Sequence, residues 1–274
     1  MAYKRVLTVQ DISCVGQCSI TVALPVLSAC GVEACVLPTA VLSTHTGGFH
    51  NPLVHHLGDL PDAFREHWKR EGITFDAIYT GYLGSVQAVE STLRILDELL
   101  SPGGIVIVDP AMADHGKLYS GLEEAYVQTM TRLCRKADIL LPNVTEAAML
   151  AGMPYQENPD REYVASVLGN LGKKTTVLTG VCETAQETGV ALWDRGDLWF
   201  YSHPKTPGCY HGTGDLFAAA FTGALMQGKP PRDAVRIAAD FTALCTRKTY
   251  ENPAHWYGVK FETALPDLIR MLEK

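Results

Sequence analysis

The sequence predicts an α/β fold, a three-layer α-β-α sandwich with a mostly parallel central sheet and a small hairpin at one edge. Three observations carry that expectation. Short apolar runs of buried-strand type recur at residues 6–9, 34–37, 77–79, 105–108, 139–141 and 175–179. Stretches between them place apolar residues at helical spacing, as in Val86, Val89, Leu93, Leu96 and Leu100. Residues 189–193 and 198–201 are two further strand-like runs joined by the tight turn Asp194, Arg195, Gly196, Asp197, the pattern of an antiparallel hairpin.

The elements follow in order. The first strand ends in a polar turn over residues 10–17, and a helix with an apolar face through Ile20, Val22, Ala23, Leu24 and Leu27 runs to Gly31. Strand, helix and the strand at 34–37 make a right-handed βαβ unit, and ligands of such sheets sit beyond the carboxyl ends of the strands. Asp11 and Ser13 fall there, as turn formers or as ligand contacts. Residues 38–49, containing His45, Thr46 and Gly47, are too rich in polar donors for a core and read as a substrate loop. His50, His55 and His56 lack a carboxylate or thiol at matching spacing and read as solvated side chains, not metal ligands. A charged helix spans 61–71, and Tyr82 lies in the loop beyond the strand at 77–79, a ring that either flanks an aromatic ligand or packs. The strands at 105–108 and 139–141 end in Asp109 and in Asn143, Val144, Thr145, Glu146, so each delivers an acid to one sheet edge. Two such carboxylates suit a shared Mg²⁺ with its waters, unless Thr145 is a helix cap with Glu146 beside it. Residues 202–207 form a polar loop, and helices over 215–227, 232–248 and 261–273 close the fold.

The most informative stretch is Gly208, Cys209, Tyr210, His211, Gly212, Thr213, Gly214, Asp215, running into an apolar helix. Glycines at 212 and 214 let backbone approach a ligand closely, and the first free N–H groups of the helix favour an anion. Asp215 is then either an ordinary helix-start acid or the base that takes a proton from a hydroxyl attacking a nucleotide γ-phosphate.

Composition excludes several classes. The 274 residues, 47% hydrophobic and 19% charged, suit one domain over 1–274 without repeats or linkers. A net charge of −7 with no Lys/Arg cluster argues against nucleic acid and for small-molecule ligands. Eight cysteines without a CxxC pair read as reduced, mostly buried thiols. No signal segment or membrane-length apolar run is present, so a cytoplasmic, membrane-free protein is expected. The first βα turn lacks G-x-G-x-x-G, and Gly172, Lys173, Lys174, Thr175 lack P-loop spacing.

Taken together, these motifs resemble the pyridoxal (pyridoxamine) kinase group of the ribokinase-like superfamily over nearly the whole chain. The resemblance implies a ribokinase-like fold and ATP-dependent phosphorylation of the 5-hydroxymethyl group of pyridoxal, pyridoxamine or pyridoxine. It assigns the anion hole to Gly212, Thr213 and Gly214 and the base to Asp215. Asp109, Asn143 and Glu146 go with Mg²⁺ and ATP, Asp109 and Glu146 holding the metal through water. His45, Thr46, Gly47 and Tyr82 go with the substrate. A homodimer is implied, and K⁺ is admitted by the family without a residue to mark it. Pyridoxal kinases place a serine where this chain has Asp11, with Ser13 two residues on, so either could meet the ring. The aspartate is similar to hydroxymethylpyrimidine kinases. A nucleotide-contacting lysine of some members falls near Gly180, leaving that contact to Thr179 and backbone. The alternatives are therefore a hydroxymethylpyrimidine kinase or other ribokinase-like kinase, and a vitamer-binding protein without chemistry.

Overall fold

The sheet is built around a strand longer than its apolar run. In the computed structural model, which describes residues 3–273 except 174, 182, 183, 185 and 253, β1 spans Arg5–Ser13. Its polar end stays extended because it continues to pair in parallel with β2 after β4 has stopped at Val9, and because its side chains bond one another: Gln10 Nε2 donates to Thr8 Oγ1 at 2.6 Å and Ser13 Oγ to Asp11 Oδ2 at 2.9 Å. The expected turn at 10–13 is thus strand. The next elements are α1 (Ile20–Ala29), β2 (Glu33–Leu42), β3 (Val54–His56), α2 (Leu60–Arg70), β4 (Phe75–Thr80), α3 (Val86–Leu99) and β5 (Leu100–Val108). A two-stranded flap follows, β6 (Ala113–Asp114) with β7 (Lys117–Leu118), then α4 (Glu124–Lys136), β8 (Ile139–Leu140), α5 (Val144–Ala151) and α6 (Arg161–Leu171). The chain closes with β9 (Thr175–Val181), β10 (Glu187–Asp194), β11 (Asp197–Pro204), α7 (Thr213–Met226), α8 (Pro231–Tyr250), a 3-10 turn (Glu262–Ala264) and α9 (Leu265–Glu273).

Among the described residues the main sheet has the order β11-β10-β9-β8-β5-β4-β1-β2-β3. Six central strands run parallel, and the two edges are antiparallel. The β10–β11 hairpin turns on Arg195 and Gly196, both at positive φ (52° and 91°), the geometry that matches strand twist. Side-chain alternation splits the core. Val6, Tyr79 and Ile107 face α1, α7, α8 and α9, whereas Leu7, Ile78 and Val106 face α3 and α4, with α5 and α6 packed beside β9 and β10.

Four local expectations change. Residues 38–42 extend β2 and 202–204 extend β11, because each finds a partner strand that a polar stretch does not advertise. Leu24 is 38% exposed and Val26 takes its place in the core. α4 and α6 are helices that the apolar spacing did not single out. Of the cysteines, Cys30, Cys134 and Cys245 are buried, Cys18 and Cys35 half-buried, and Cys14 and Cys209 exposed, all as free thiols, so burial is less general than expected; Cys182 lies outside the described residues, as does Lys174. Among the described residues no helix is long and apolar enough to cross a membrane.

Candidate active site

From β1 the chain steps one way to β2 and later returns on the other side as β4, so a crevice opens past the carboxyl ends of β1 and β4. Asp11 and Ser13 arrive there on β1, Gly81 and Tyr82 after β4, and Asp109 after β5, its N–H bonded to Thr80 O at 3.0 Å.

The start of α7 meets this crevice. Gly212 is its N-cap at φ +81°, and a Cβ there would lie 1.9 Å from the carbonyl oxygen of Gln17, so only glycine fits between the two loops. A Cβ on Gly214 would meet nothing within 4 Å, which leaves the helix start open. The first helical bond is Leu216 N–H to Gly212 O, so the amides of residues 213–215 are unused by the helix. Thr213 Oγ1 turns back to Tyr210 O at 3.3 Å. Asp215 Oδ2 accepts the Ser19 N–H at 2.9 Å. Burial pushes its carboxyl up to about 7; the Ser19 bond opposes that rise and the Asp11 charge adds to it.

Glu146 is 1% exposed and held by three backbone amides, Met112 (2.8 Å) and Ala113 (3.4 Å) on Oε1 and Asn143 (3.0 Å) on Oε2. Asn143 Oδ1 accepts the Glu146 N–H in return, a capping box, and Asn143 Nδ2 donates to Ala113 O at 2.7 Å. The cap of α5 is therefore Asn143 and not Thr145, whose hydroxyl accepts the Gly116 N–H at 3.0 Å and pins the β6–β7 flap. Burial lifts the Glu146 carboxyl to about 7 against those amides, and holds Asp109 well above the usual carboxylate range, where the charges of Glu146 and Asp215 lift it further. Asp109 Oδ1 accepts the Ala111 N–H at 3.1 Å. Replacing Glu146 by Gln turns one acceptor into a donor facing N–H groups. Glu146→Gln is expected to destabilise the protein by about 1–3 kcal/mol, read from urea unfolding midpoints at neutral pH. An unchanged midpoint would mean the amide network is dispensable.

No three His, Cys, Asp or Glu side chains among the described residues are placed to hold a metal together. A Mg²⁺ ion would fit this site only in its usual manner, through one or two carboxylates, waters and substrate phosphates, and the repulsion from Glu146 and Asp215 that helps push the Asp109 carboxyl up is what a cation there would relieve.

His45 is buried and ties two loops together. Its Nδ1 accepts the Gly47 N–H at 3.1 Å, so its Nε2 carries the proton and donates to Tyr257 O at 2.6 Å. The ring lies 5.0 Å from Phe49 and 5.2 Å from His211, and Gly47 packs so tightly on His211 that a Cβ would fall 2.4 Å from Nδ1. Thr46 is exposed beside it. Tyr82 is half-buried, 6.4 Å from Tyr119, and its hydroxyl is pushed up by burial and by the nearby Asp11 charge. Thr179 N–H donates to Pro142 O at 3.0 Å, which sets Thr179 beside Asn143, and Gly180 is an exposed bulge residue at φ +76°.

The structure thus gathers Asp11, Ser13, Asp109, Tyr82 and Asp215 at the switch point, and places Thr179 and Gly180 with Asn143 further along the sheet edge. His50, His55 and His56 are exposed. Ser19 and Tyr257 are absent from the sequence candidates, and His211 enters there only as a member of the stretch before Gly212. Only His211 had a signal, adjacency to Gly212.

A parallel α/β sheet with a glycine-capped helix start at its switch point, and a carboxylate on the first turn of that helix, is the architecture of a small-molecule kinase. The chain belongs to the phosphomethylpyrimidine kinase family, whose model matches residues 16–258, part of the wider pyridoxal kinase and ribokinase-like family that the motifs resemble, and its relatives carry both pyridoxal kinase and hydroxymethylpyrimidine kinase names. It is 29% identical over 248 residues to the pyridoxine/pyridoxal/pyridoxamine kinase of Bordetella bronchiseptica, covering 85% of each chain. It is 28% identical over 228 residues to the hydroxymethylpyrimidine/phosphomethylpyrimidine kinase of Bacillus subtilis, covering 82% of this chain and 80% of the other. The crystal structure of pyridoxal kinase from Lactobacillus plantarum superposes with a TM-score of 0.89 at 34% identity over 98% of each chain.

Proposed function

We propose that this protein transfers the γ-phosphoryl group of ATP to the 5-hydroxymethyl group of pyridoxal, pyridoxamine or pyridoxine. The observation that carries the reading is the pairing of Asp215 with the amides of 213–215, unused by their own helix, at the sheet's switch point. Asp215 takes the proton of the hydroxymethyl group as its oxygen bonds to the γ-phosphorus. The bond from that phosphorus to the β,γ-bridging oxygen breaks, and ADP leaves with the electron pair. The amides accept the charge that spreads over the transferring group. Asp109 and Glu146, through water, would hold a Mg²⁺ ion that neutralises phosphate charge. Tyr82 offers the pyridine ring an aromatic face, and Thr179 and Gly180 lie where nucleotide would follow. The likeness to the Lactobacillus plantarum enzyme supports the vitamer.

Hydroxymethylpyrimidine is the second reading, favoured by the family's description, the Bacillus subtilis relative and an aspartate at position 11. Incubation with ATP and Mg²⁺ and each of pyridoxal, pyridoxamine, pyridoxine and hydroxymethylpyrimidine, with products identified by ³¹P NMR and mass spectrometry, decides between them. A vitamer 5′-phosphate as the main product is expected. A phosphorylated pyrimidine formed faster would transfer the assignment, and no phosphorylated product at all would remove it.

A further inference from the structure

Ser19 breaks two local rules at once. It caps α1 with φ +54° and ψ −131°, a conformation that side-chain-bearing residues rarely adopt and glycine tolerates. A serine at an N-cap ordinarily turns its hydroxyl onto the helix N–H groups, yet this one makes no such bond. Instead its Oγ donates to Asp11 Oδ1 at 2.5 Å while its backbone N–H donates to Asp215 Oδ2 at 2.9 Å. Backbone strain of this sort persists only where its surroundings impose it, and it gathers at working sites.

Asp11 explains what imposes it. It is 2% exposed and lies in β1 where the pairing with β2 shifts register, one strand from the middle of the parallel core. Its second oxygen accepts the Ser13 hydroxyl, so both carboxylate oxygens are engaged by side chains of its own loop and strand. Ser19 is itself 5% exposed and bridges back to Ile12. Relaxing Ser19 to an ordinary φ rotates the peptide N–H away from Asp215. The hydroxyl anchored on Asp11 opposes that rotation.

We propose that Ser19 is a positioning residue for Asp215, and that Asp11 acts on the reaction through Ser19 and not by touching substrate. The base would otherwise depend on α7 alone for its aim. The tether refers it to the rigid centre of the sheet, 196 residues away in the chain. This rests on the phosphoryl-transfer reading of Asp215.

Four variants test it: Ser19→Gly, Ser19→Ala, Asp11→Asn and the double variant S19A/D11N. Glycine suits the backbone at 19, so Ser19→Gly is expected to melt no lower than wild type. Its kcat is expected to fall by about 10²-fold, with KM for ATP and for the alcohol changed less than about twofold. Asp11→Asn leaves one carbonyl oxygen for two hydroxyl donors and sets an N–H₂ group against the other; it is expected to lower kcat in the same direction, and the double variant to be no slower than the worse single one, because both changes weaken one tether. Ser19→Gly at wild-type kcat would overturn the proposal. So would full additivity, or an Asp11→Asn effect confined to the alcohol KM, which would place Asp11 on the substrate.

Activity is measured with whichever alcohol the substrate panel identifies. If wild type phosphorylates none of them, the functional reading fails, and the tether is judged by NMR alone. The Ser19 amide proton resonance is expected to move upfield in Asp11→Asn, toward its position in Asp215→Ala, as its hydrogen bond is released. An unmoved resonance would overturn the tether.

Discussion

Replacing Asp215 by Asn is expected to lower kcat by about 10²–10⁴-fold while leaving the fold intact. The asparagine can still accept the Ser19 N–H through its carbonyl oxygen, so what is removed is the ability to take a proton. The wild-type protein adds a pH signature. Because burial lifts this carboxyl from 3.8 to about 7, the base is protonated, and useless, below that pH. Hence kcat/KM is expected to fall about tenfold per unit as pH drops below roughly 7. A profile flat to pH 5 would dissociate Asp215 from the proton transfer.

The same shift sets stability, with a definite sign. Between pH 3.8 and about 7 the folded protein keeps a proton that the unfolded chain has released, so the contribution of this group falls as pH rises through that window. Above it the fold carries a half-buried charge whose cost water only partly relieves. Asp215→Asn abolishes that cost, so the variant is expected to melt above wild type at pH 8, the gap closing toward pH 4. Thermal melts across that range, alongside the rate measurements, would show activity and stability moving in opposite directions, as they do where a site holds strain for function.

The second large effect belongs to Gly212. An alanine there must hold φ near +81°, costing about 1–2 kcal/mol, and must also push aside the Gln17 carbonyl, 1.9 Å from its Cβ. Neither partner is a flexible side-chain end, so the loop carrying Ser19 and the start of α7 must separate. Gly212→Ala is expected to lower the melting temperature and to reduce kcat by at least about 10²-fold through misplacement of the base and amides. Gly214→Ala separates the two consequences. Its Cβ meets no protein atom within 4 Å, so the melting temperature should stay put. A methyl group at the open helix start would crowd an anion, so the KM for nucleotide should rise. Equal behaviour of the two variants would mean that the glycines serve the chain and not the ligand.

Much of the site was legible because its parts are local. Gly212, Thr213, Gly214 and Asp215 sit within one turn, and the chemistry of amides at a helix start needs no distant partner. Asp109 and Glu146 announced themselves as acids at the ends of apolar strands. The role of Glu146 in binding Met112 and Ala113 did not, because those amides lie more than thirty residues upstream and carry no side-chain signature. His45 was read as part of a substrate loop, and its hydrogen bond to a backbone carbonyl 212 residues further on is nothing that loop could announce. β1 was read too short for a similar reason: polar residues look like turn until the neighbouring strand β2 is present to bond them.

The sequence alone determined the layered α/β architecture and the glycine-flanked helix start that carries Asp215, since hydrophobic period and glycine spacing act over a few residues and read out directly. Tertiary structure decided which acids are buried, which of their oxygens remain for a ligand, and that Asp11 and Asp215 meet through Ser19. Those outcomes depend on water exclusion and on hydrogen bonds between segments far apart in the chain, and no stretch of residues encodes either by itself.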